Sequence, residues 1–352
     1  MSKIVSGIQQ IGIGVPDLYQ AFDWYKEHFG MDVKVFDDEA EAALMIKYTG
    51  NEVRNRQAIL ALNMQGGGGF EIWQYKSRVP QPASFDIVLG DFGIFASKMK
   101  TRSVKDAHTF LAHKKVQGLS AIKTNPWGEQ HFFVQDCFGN WFQIEESSVW
   151  FSDKKIHPIG GVGGAIIGVE NLEEAIKMYE QTLGFKLLGE IQKGACEDIA
   201  GLPSGGKTFK RAKLVQQNAE EGAFGKLLGT ATLELIEATD YKGKRMFSDR
   251  FWGDLGYIHL CFDIVGMKAH QRDCEQAGYP FTVDSADSFD MGKSAGHFAY
   301  IESKDGTLLE FVETHKLPVA PKWGWYVDLR KRNARKNLPK WMLGALRFNR
   351  VK

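Results

Sequence analysis

Two hydrophobic patterns alternate along the chain: short apolar runs, and apolar positions spaced three and four residues apart. Residues 10–33, QIGIGVPDLYQAFDWYKEHFGMDV, contain the first pattern followed by the second. The first is typical of a buried strand and the second of a helix with one apolar face. Asp17 is a good N-cap for this helix, and Gly30 is a typical C-terminal glycine. The segment therefore predicts a strand and then a helix that packs on a sheet.

The same pattern returns in the second half of the chain. Residues 164–187, GAIIGVENLEEAIKMYEQTLGFKL, align with residues 10–33 at a constant offset of 154, and Asn171 is the corresponding N-cap. The identical pairs include Val15 and Val169, Leu18 and Leu172, Ala21 and Ala175, Tyr25 and Tyr179, and Gly30 and Gly184. A repeat of this kind indicates that the two halves are copies of one architecture.

Each half contains a second strand and helix, at residues 91–116 and 259–278. Strand-like runs follow the helices at residues 58–64 and 70–75, 131–134 and 141–144, 232–236, and 297–301 with 307–312. Turn sequences such as Asp305-Gly306 connect several of them. The chain thus predicts a β-α-β-β-β unit that is used four times.

This fourfold unit resembles the vicinal oxygen chelate superfamily, which includes glyoxalase I, the extradiol dioxygenases and the bleomycin-resistance proteins. The resemblance covers roughly residues 5–315 and depends on the two repeated segments and on the ending Asp305-Gly306-Thr307-Leu308-Leu309-Glu310. It implies an α+β fold in which four βαβββ modules pair into two half-barrel domains. A C-terminal tail with a short helix would follow them.

The predicted domains follow the chain order. Residues 1–148 form an N-terminal glyoxalase-like domain with modules at about 5–76 and 85–147, and residues 149–160 form a linker. Residues 161–315 form a C-terminal domain with the better metal site, and residues 316–352 form a basic, Trp-rich extension. In this interpretation, consecutive modules share a half-barrel.

The family resemblance implies metal ligands on the first and last strands of each module. In the C-terminal domain these positions hold Glu234, His259 and Glu310, with Gly164 where glyoxalase-type sites add a His or Gln. Two carboxylates and an imidazole suit Zn, Ni, Co, Mn or Fe(II). The alternative is a degenerate site whose acids face a wet pocket, since Gly164 supplies no ligand.

The corresponding positions of the N-terminal domain hold Gln10, Glu71, Asp91 and Gln143. They include no imidazole, so the sequence predicts at most a weaker second metal site there. The other interpretation is a structural partner domain with a polar cup.

Three functions remain open at this point. The first is a metal-dependent lyase or isomerase that acts on a small oxygen-chelating substrate, with Glu234 or Glu310 as the base. The second is an Fe(II) extradiol dioxygenase assisted by Tyr300, although such enzymes need two His ligands and these positions offer only His259. The third is a non-catalytic binding or resistance protein whose carboxylates bind a cationic ligand.

Charge argues against a polyanionic partner. The chain has 44 basic and 43 acidic residues and a net charge of +1, so neither nucleic acid nor a membrane is expected to bind it. Residues 316–352 nevertheless carry eleven basic residues and the single acid Asp328. With its apolar residues, this basic tail is expected to dock on the acidic body; the alternative interpretation of its charge is a patch that binds nucleic acid or lipid.

Four cysteines without a CxxC pair fit a reducing compartment, and the N-terminus lacks the apolar core of a signal peptide. No run approaches the roughly 18 apolar residues that span a bilayer. We therefore expect a cytoplasmic protein with a small-molecule substrate that has adjacent oxygens, as a monomer or a homodimer.

Overall fold

The fold was analysed in a computed structural model, which describes residues 3–217, 221–286, 289–290, 295–320 and 325–351. The first module comprises β1 (Ile4–Gly14), α1 (Leu18–Phe29), β2 (Val33–Glu41), a 3-10 helix (Ala43–Tyr48), β3 (Asn55–Leu62) and β4 (Gly69–Tyr75). The second comprises β5 (Gly93–Thr101), α2 (Val104–His113), β6 (Lys123–Thr124), β7 (Gln130–Gln135) and β8 (Trp141–Glu146).

The third module comprises β9 (Ile159–Gly168), α3 (Leu172–Leu183), β10 (Phe185–Leu187), β11 (Gln192–Ala195), β12 (Thr208–Gln216), α4 (Gly225–Leu228) and β13 (Thr232–Ala238). The fourth comprises β14 (Gly256–Val265), α5 (Met267–Gln276), β15 (Val283–Asp284), β16 (Phe289–Asp290), β17 (Ala295–Glu302) and β18 (Leu308–Ala320). The tail adds β19 (Trp325–Asp328), α6 (Lys340–Gly344) and 3-10 helices at Leu329–Lys331 and Ala345–Asn349.

The helix boundaries follow the local sequence as predicted. The Asp17 carboxylate accepts hydrogen bonds from the backbone N–H groups of Tyr19 and Gln20, and Gly30 ends α1 at φ 63°. The Asn171 side chain and Gly184, at φ 73°, play the same parts for α3. A left-handed residue at the end of a helix favours glycine because it has no Cβ.

The strands form two curled half-barrel sheets, as expected, but the modules combine differently from the prediction. Modules one and four form the first sheet, in the order β15-β17-β18-β14-β1-β4-β3-β2, and modules two and three form the second, in the order β10-β12-β13-β9-β5-β8-β7-β6. The prediction that consecutive modules share a half-barrel is therefore wrong. We call the concave faces of these sheets the first cup and the second cup.

The connections explain how this pairing arises. The link within the second sheet, residues 147–158, is shorter than the two links that cross between sheets, residues 76–92 and 239–255. In the first sheet, β1 and β14 pair antiparallel from Ile4 opposite Val265 to Gly14 opposite Gly256. The first and last modules thereby enclose the middle pair along the chain.

One continuous core joins the two sheets on their convex sides. It contains apolar residues of β1, β5, β9 and β14 together with the buried faces of α1, α2, α3 and α5. Contacts between side chains and backbone also cross from one sheet to the other, since the Tyr257 hydroxyl donates to the carbonyl oxygen of Trp141 at 2.6 Å. The two half-barrels are therefore parts of one packed body.

The described part of the tail docks on this body, as predicted from its composition. Leu338, Met342 and Leu343 are buried in a cluster that includes Phe224 and Leu228. Three basic residues form ion pairs with the body, namely Arg335 with Glu221, Lys340 with Asp153 and Arg350 with Asp32. Trp323 lies outside the described residues.

No helix within the described ranges is long and apolar enough to cross a membrane.

The interleaved pairing predicts how fragments of the chain behave. A fragment of residues 1–148 leaves β1 without β14 and β5 without β9, so we expect it not to unfold cooperatively as a monomer. A fragment of residues 82–241 retains every strand of the second sheet and is the matched control, for which we expect a cooperative urea transition by circular dichroism. A monomeric, cooperative 1–148 fragment would contradict this pairing.

Candidate metal centre

The first cup brings together one polar side chain from each of four adjacent strands. Gln10 comes from β1, Glu71 from β4, His259 from β14 and Glu310 from β18. In the sheet, Gly12 lies opposite both Glu71 and His259, while Cys261 lies opposite Glu310. These registers place the four side chains at the middle of the cup, and we call them the four-residue cluster.

The cluster is compact. Nε2 of His259 lies 3.2 Å from Oε2 of Glu71 and 3.2 Å from Oε2 of Glu310. Nε2 of Gln10 lies 3.3 Å from the same two oxygens. Ligand atoms of Glu71, His259 and Glu310 lie within 4.8 Å of one another, which is the convergence that a single metal ion requires.

The hydrogen bonding inside the cluster is incomplete, and this tests whether a metal fits. The His259 side chain is fully buried, and its Nε2 has only the two carboxylate oxygens near it, at 3.2 Å and outside ideal hydrogen-bond geometry. Among the described residues, Nδ1 of His259 and Oε1 of Gln10 have no hydrogen-bond partner. Buried polar atoms are normally satisfied, so a missing partner in the middle of the cluster is indicated. Nitrogen and oxygen donors of this kind suit a divalent transition metal. The residues present therefore fit such an ion.

Glycine on β1 makes room for the imidazole. A Cβ built on Gly12 would lie 2.4 Å from Cε1 of His259, closer than real contacts allow. On its other side the His259 ring is stacked with Trp252, with ring centroids 6.0 Å apart and planes 19° apart. The ring is thus held between a glycine and an indole.

The acids of the cluster differ in their protonation tendencies. Burial alone would raise the pKa of Glu71, but His259 and Arg56 outweigh it and lower that pKa. Burial and the charge of Glu71 together raise the pKa of Glu310, although His259 opposes them. Burial would lower the pKa of His259, but the two carboxylates outweigh it and raise it.

Tyr300 contacts the cluster directly. Its hydroxyl donates a 2.8 Å hydrogen bond to Oε1 of Glu310, and its ring meets that of His259 edge-on at 5.7 Å. The surrounding cup is lined by large apolar side chains, among them Trp73, Tyr75 and Trp252. The sequence-predicted Tyr300, His259 and Glu310 are therefore neighbours, and Gln10 and Glu71 join them from the set that was predicted to be the weaker one.

Glu234 belongs to the other cup, which corrects the predicted ligand set. It lies on β13 in the second sheet, where its Oε1 accepts a 2.8 Å hydrogen bond from Nε of Arg211 and lies 2.7 Å from Nη2 of the same guanidinium. The Arg211 guanidinium also pairs with Asp198 at 2.7 Å. Glu234 and Arg211 side chains are fully buried, so an internal cation already occupies the site of this carboxylate.

The other predicted ligands also lie away from the cluster. Gln143 is in the second cup, where its Nε2 lies 2.9 Å from Nδ1 of His131. The Asp91 carboxylate accepts hydrogen bonds from the backbone N–H groups of Val88 and Lys244, so it stabilises turns before β5. Gly164 has no room for a side chain, because a Cβ there would lie 1.8 Å from the carbonyl oxygen of Thr232.

The sequence contained one signal for the correct grouping. Each predicted set holds half of the cluster, and Gln10 is the Gln that the C-terminal set lacked. Arg211 could not be assigned, because a lone arginine on a strand gives no pattern that distinguishes a buried ion pair from an exposed charge.

The Arg211 network predicts a large loss of stability when its cation is removed. Arg211→Met leaves two buried carboxylates without their partner, so we expect the free energy of unfolding to fall by about 3–5 kcal/mol in urea at pH 7. Lys210→Met, on the same strand, removes a partly exposed ion pair with Glu237 and should cost less than about 1 kcal/mol. Equal losses for the two variants would contradict the assignment.

The same network has a defined pH dependence. Burial would raise the pKa of Asp198, but hydrogen bonds from His131 and Arg211 outweigh it and lower that pKa from 3.8 to about 2. A lowered carboxylate pKa stabilises the folded state above pH 3.8, and this stability is lost as the pH falls towards 2. The difference in the free energy of unfolding between wild type and Arg211→Met should therefore become smaller as the pH falls from 3.8 towards 2.

The fold of this chain is similar to the folds of several solved structures. Glyoxalase I from Zea mays has 16% sequence identity and a TM-score of 0.52, and the match covers 89% of this chain and 92% of that one. A putative dioxygenase from Bacillus subtilis subsp. subtilis str. 168 also has 16% identity, with a TM-score of 0.58 over 89% of this chain and 86% of that one. No curated protein sequence matches the chain.

A family model matches most of the sequence. The model described as Glyoxalase/Bleomycin resistance protein/Dioxygenase superfamily matches residues 7–144 and 156–311, which include all four residues of the cluster. The chain belongs to this superfamily.

Proposed function

We propose that the protein is a divalent-metal-dependent lyase or isomerase that acts on a small substrate with adjacent oxygens. The convergence of Gln10, Glu71, His259 and Glu310 on one point carries this proposal. Glyoxalase-type sites resemble this arrangement of two acids, one His and one further His or Gln. Gln10 provides the residue that Gly164 could not.

The four-residue cluster would hold the metal through two carboxylates, one imidazole and one amide oxygen. Two carboxylates balance the charge of a divalent ion, and this donor set accepts Zn, Ni, Co, Mn or Fe(II). Bound there, the ion would act as a Lewis acid towards the two oxygens of a substrate. In the structure Nε2 of Gln10 lies 3.3 Å from each of the two carboxylates, so the amide would turn over on metal binding to present Oε1.

Glu310 is the residue that we assign as the base. Its Oε1 accepts the hydrogen bond of Tyr300, while its Oε2 faces His259 and Gln10 at the middle of the cup. A carboxylate held in this way can take a proton from a carbon next to a carbonyl group. Tyr300 acts as a positioning residue, because it fixes the orientation of the Glu310 carboxylate.

Iron-dependent ring cleavage is the second candidate. The hydrogen bond between Tyr300 and Glu310 favours it, but the cluster has one histidine where a facial triad needs two. Oxygen uptake by iron-loaded, reduced protein with a panel of catechols would support it over the lyase or isomerase.

A cytoplasmic location remains a prediction from the sequence.

Metal content tests the ligand assignment. We expect about one metal ion per chain in tag-free protein by elemental analysis after reconstitution with Zn, Ni, Co or Mn. His259→Ala and Glu71→Gln should each lose at least tenfold in metal affinity, because each removes a donor from the cluster. Glu234→Gln is the matched control from the second cup and should retain full occupancy.

The outcome of these variants separates the two ligand sets. Loss of metal in Glu234→Gln with retention in Glu71→Gln would reject the four-residue cluster in favour of the set read from the sequence alone. A wild-type protein that takes up none of these ions would reject metal-dependent catalysis and favour a binding protein.

Proton exchange tests the chemistry without knowledge of the natural substrate. Metal-loaded enzyme in D2O should exchange the hydrogen on the hydroxyl-bearing carbon of hydroxyacetone, acetoin or glycolaldehyde, as followed by proton NMR. Glu310→Gln should slow this exchange at least about 100-fold, and Tyr300→Phe about tenfold with the fold intact. No exchange with any of the three compounds would contradict this class of substrate.

A further inference from the structure

A cavity of about 500 Å³ lies at the entrance of the first cup. Its walls come from the 3-10 helix Ala43–Tyr48, the loop between β13 and β14, and the turn between β17 and β18. Trp252 is part of the wall, and the same ring stacks on His259 of the four-residue cluster. Ile258 is also part of the wall, and it packs in the same buried cluster as Trp252 and Tyr300. The cavity therefore adjoins the proposed metal site.

The cavity has both apolar and polar walls. Its apolar walls include the side chains of Tyr48, Phe247, Phe251, Trp252, Ile258 and Leu308. Pockets that bind small molecules combine such walls with a few polar groups that fix the orientation of the ligand. The polar groups of this cavity thus indicate which ligand fits.

Arg250 is the most unusual of these polar groups. Its side chain is 2% exposed, and its nearest carboxylate among the described residues is that of Asp249, at 3.9 Å. Nε and Nη2 donate to the carbonyl oxygen of Met246, and Nη1 donates to that of Leu255. Burial lowers the pKa of Arg250, and nearby Asp249 and Asp254 offset this only in part. A buried guanidinium without a close counter-ion favours an anion beside it.

The acids of the cavity do not provide that anion. Glu302 accepts a hydrogen bond from the Tyr48 hydroxyl at 3.0 Å and lies 3.7 Å from Nζ of Lys47. The carboxylate of Asp305 accepts a hydrogen bond from the backbone N–H of Glu170 at 2.8 Å. Arg245 adds a further cation to the wall. The cationic groups of the cavity thus outnumber its acids, and both acids already have partners.

We propose that this cavity binds a carboxylate ligand with an apolar, ring-sized body, whose carboxylate pairs with Arg250 and whose ring lies against Trp252. The cavity would be the pocket for the part of the substrate that does not react. Only this last assignment rests on the proposed function, because the recognition of an anion by the cavity does not require a metal.

Three compounds of one shape test the proposal: 3-phenylpropionate, 3-phenyl-1-propanol and 3-phenylpropylamine. They differ in terminal charge and do not chelate a metal through adjacent oxygens. We expect the acid to bind at least tenfold tighter than the alcohol, and the amine to bind most weakly, by calorimetric titration of both metal-loaded and chelated protein. Equal binding of the three, or no binding of the acid, would overturn the proposal.

Variants locate the binding. Arg250→Met should bind the acid no more tightly than the alcohol, and its affinity for the alcohol should stay within twofold of wild type. Arg250→Lys should still bind the acid at least threefold more tightly than the alcohol. Lys244→Met, an exposed cation outside the cavity, is the matched control and should behave as wild type. Leu308→Trp should weaken the binding of the acid and of the alcohol by a similar factor, because the larger side chain fills the cavity. Retention of the acid preference in Arg250→Met would overturn the role of Arg250.

These results are independent of the metal assay. If Arg250→Met does not fold, the order of the three compounds in wild type still decides whether the cavity recognises an anion. Preference for the acid in a protein that takes up no metal would support the cavity and reject the metal-dependent function. Stoichiometric metal binding without any preference for the acid would support the metal-dependent function and reject the cavity as a site for an anion.

Discussion

The antiparallel pairing of β1 with β14 is the constraint on which the candidate site depends. It joins the first module to the last, with β4 on one side and β18 on the other, so that four adjacent strands each present one residue of the cluster. Successive side chains on a strand point to opposite faces, and a slip of one residue would turn Gln10 or His259 out of the cup. Gly12, opposite both His259 and Glu71, allows the close approach that this register imposes.

Local structure was predictable because its causes are local. Asp17 and Asn171 cap their helices and Gly30 and Gly184 end them, as their sequence positions indicated. The partner of each module was not predictable in this way. The repeat at an offset of 154 is the same whether modules pair in sequence or enclose one another, and short-range patterns give no information about contacts between β1 and β14. The shorter link at residues 147–158 agrees with the observed arrangement, in which modules two and three share a sheet.

The site was consequently half predicted. His259, Glu310 and Tyr300 were identified together because they belong to one module, whereas Gln10 and Glu71 were assigned to a separate and weaker centre. Glu234 was misplaced for the same reason, since it occupies in the second sheet the position that Glu71 occupies in the first. Family resemblance provided the residue types, and the sheet topology was needed to combine them.

The two cups solve the burial of a carboxylate in different ways. In the second cup Arg211 provides a permanent cation to Glu234, and β12 carries it at the strand position where β3 carries Ala58 in the first cup.

In the first cup, no Lys or Arg among the described residues forms an ion pair with Glu71 or Glu310, and Arg56 acts on Glu71 only through its longer-range charge. Glu71 and Glu310 face each other in a cup lined by aromatic side chains, and His259 is the one basic side chain of the described ranges that contacts both. When both carboxylates are ionised, a protonated imidazole balances only one of the two negative charges. A divalent cation would balance both, so the missing counter-charge, rather than a surplus of donor atoms, is the physical reason to regard this cup as a metal centre.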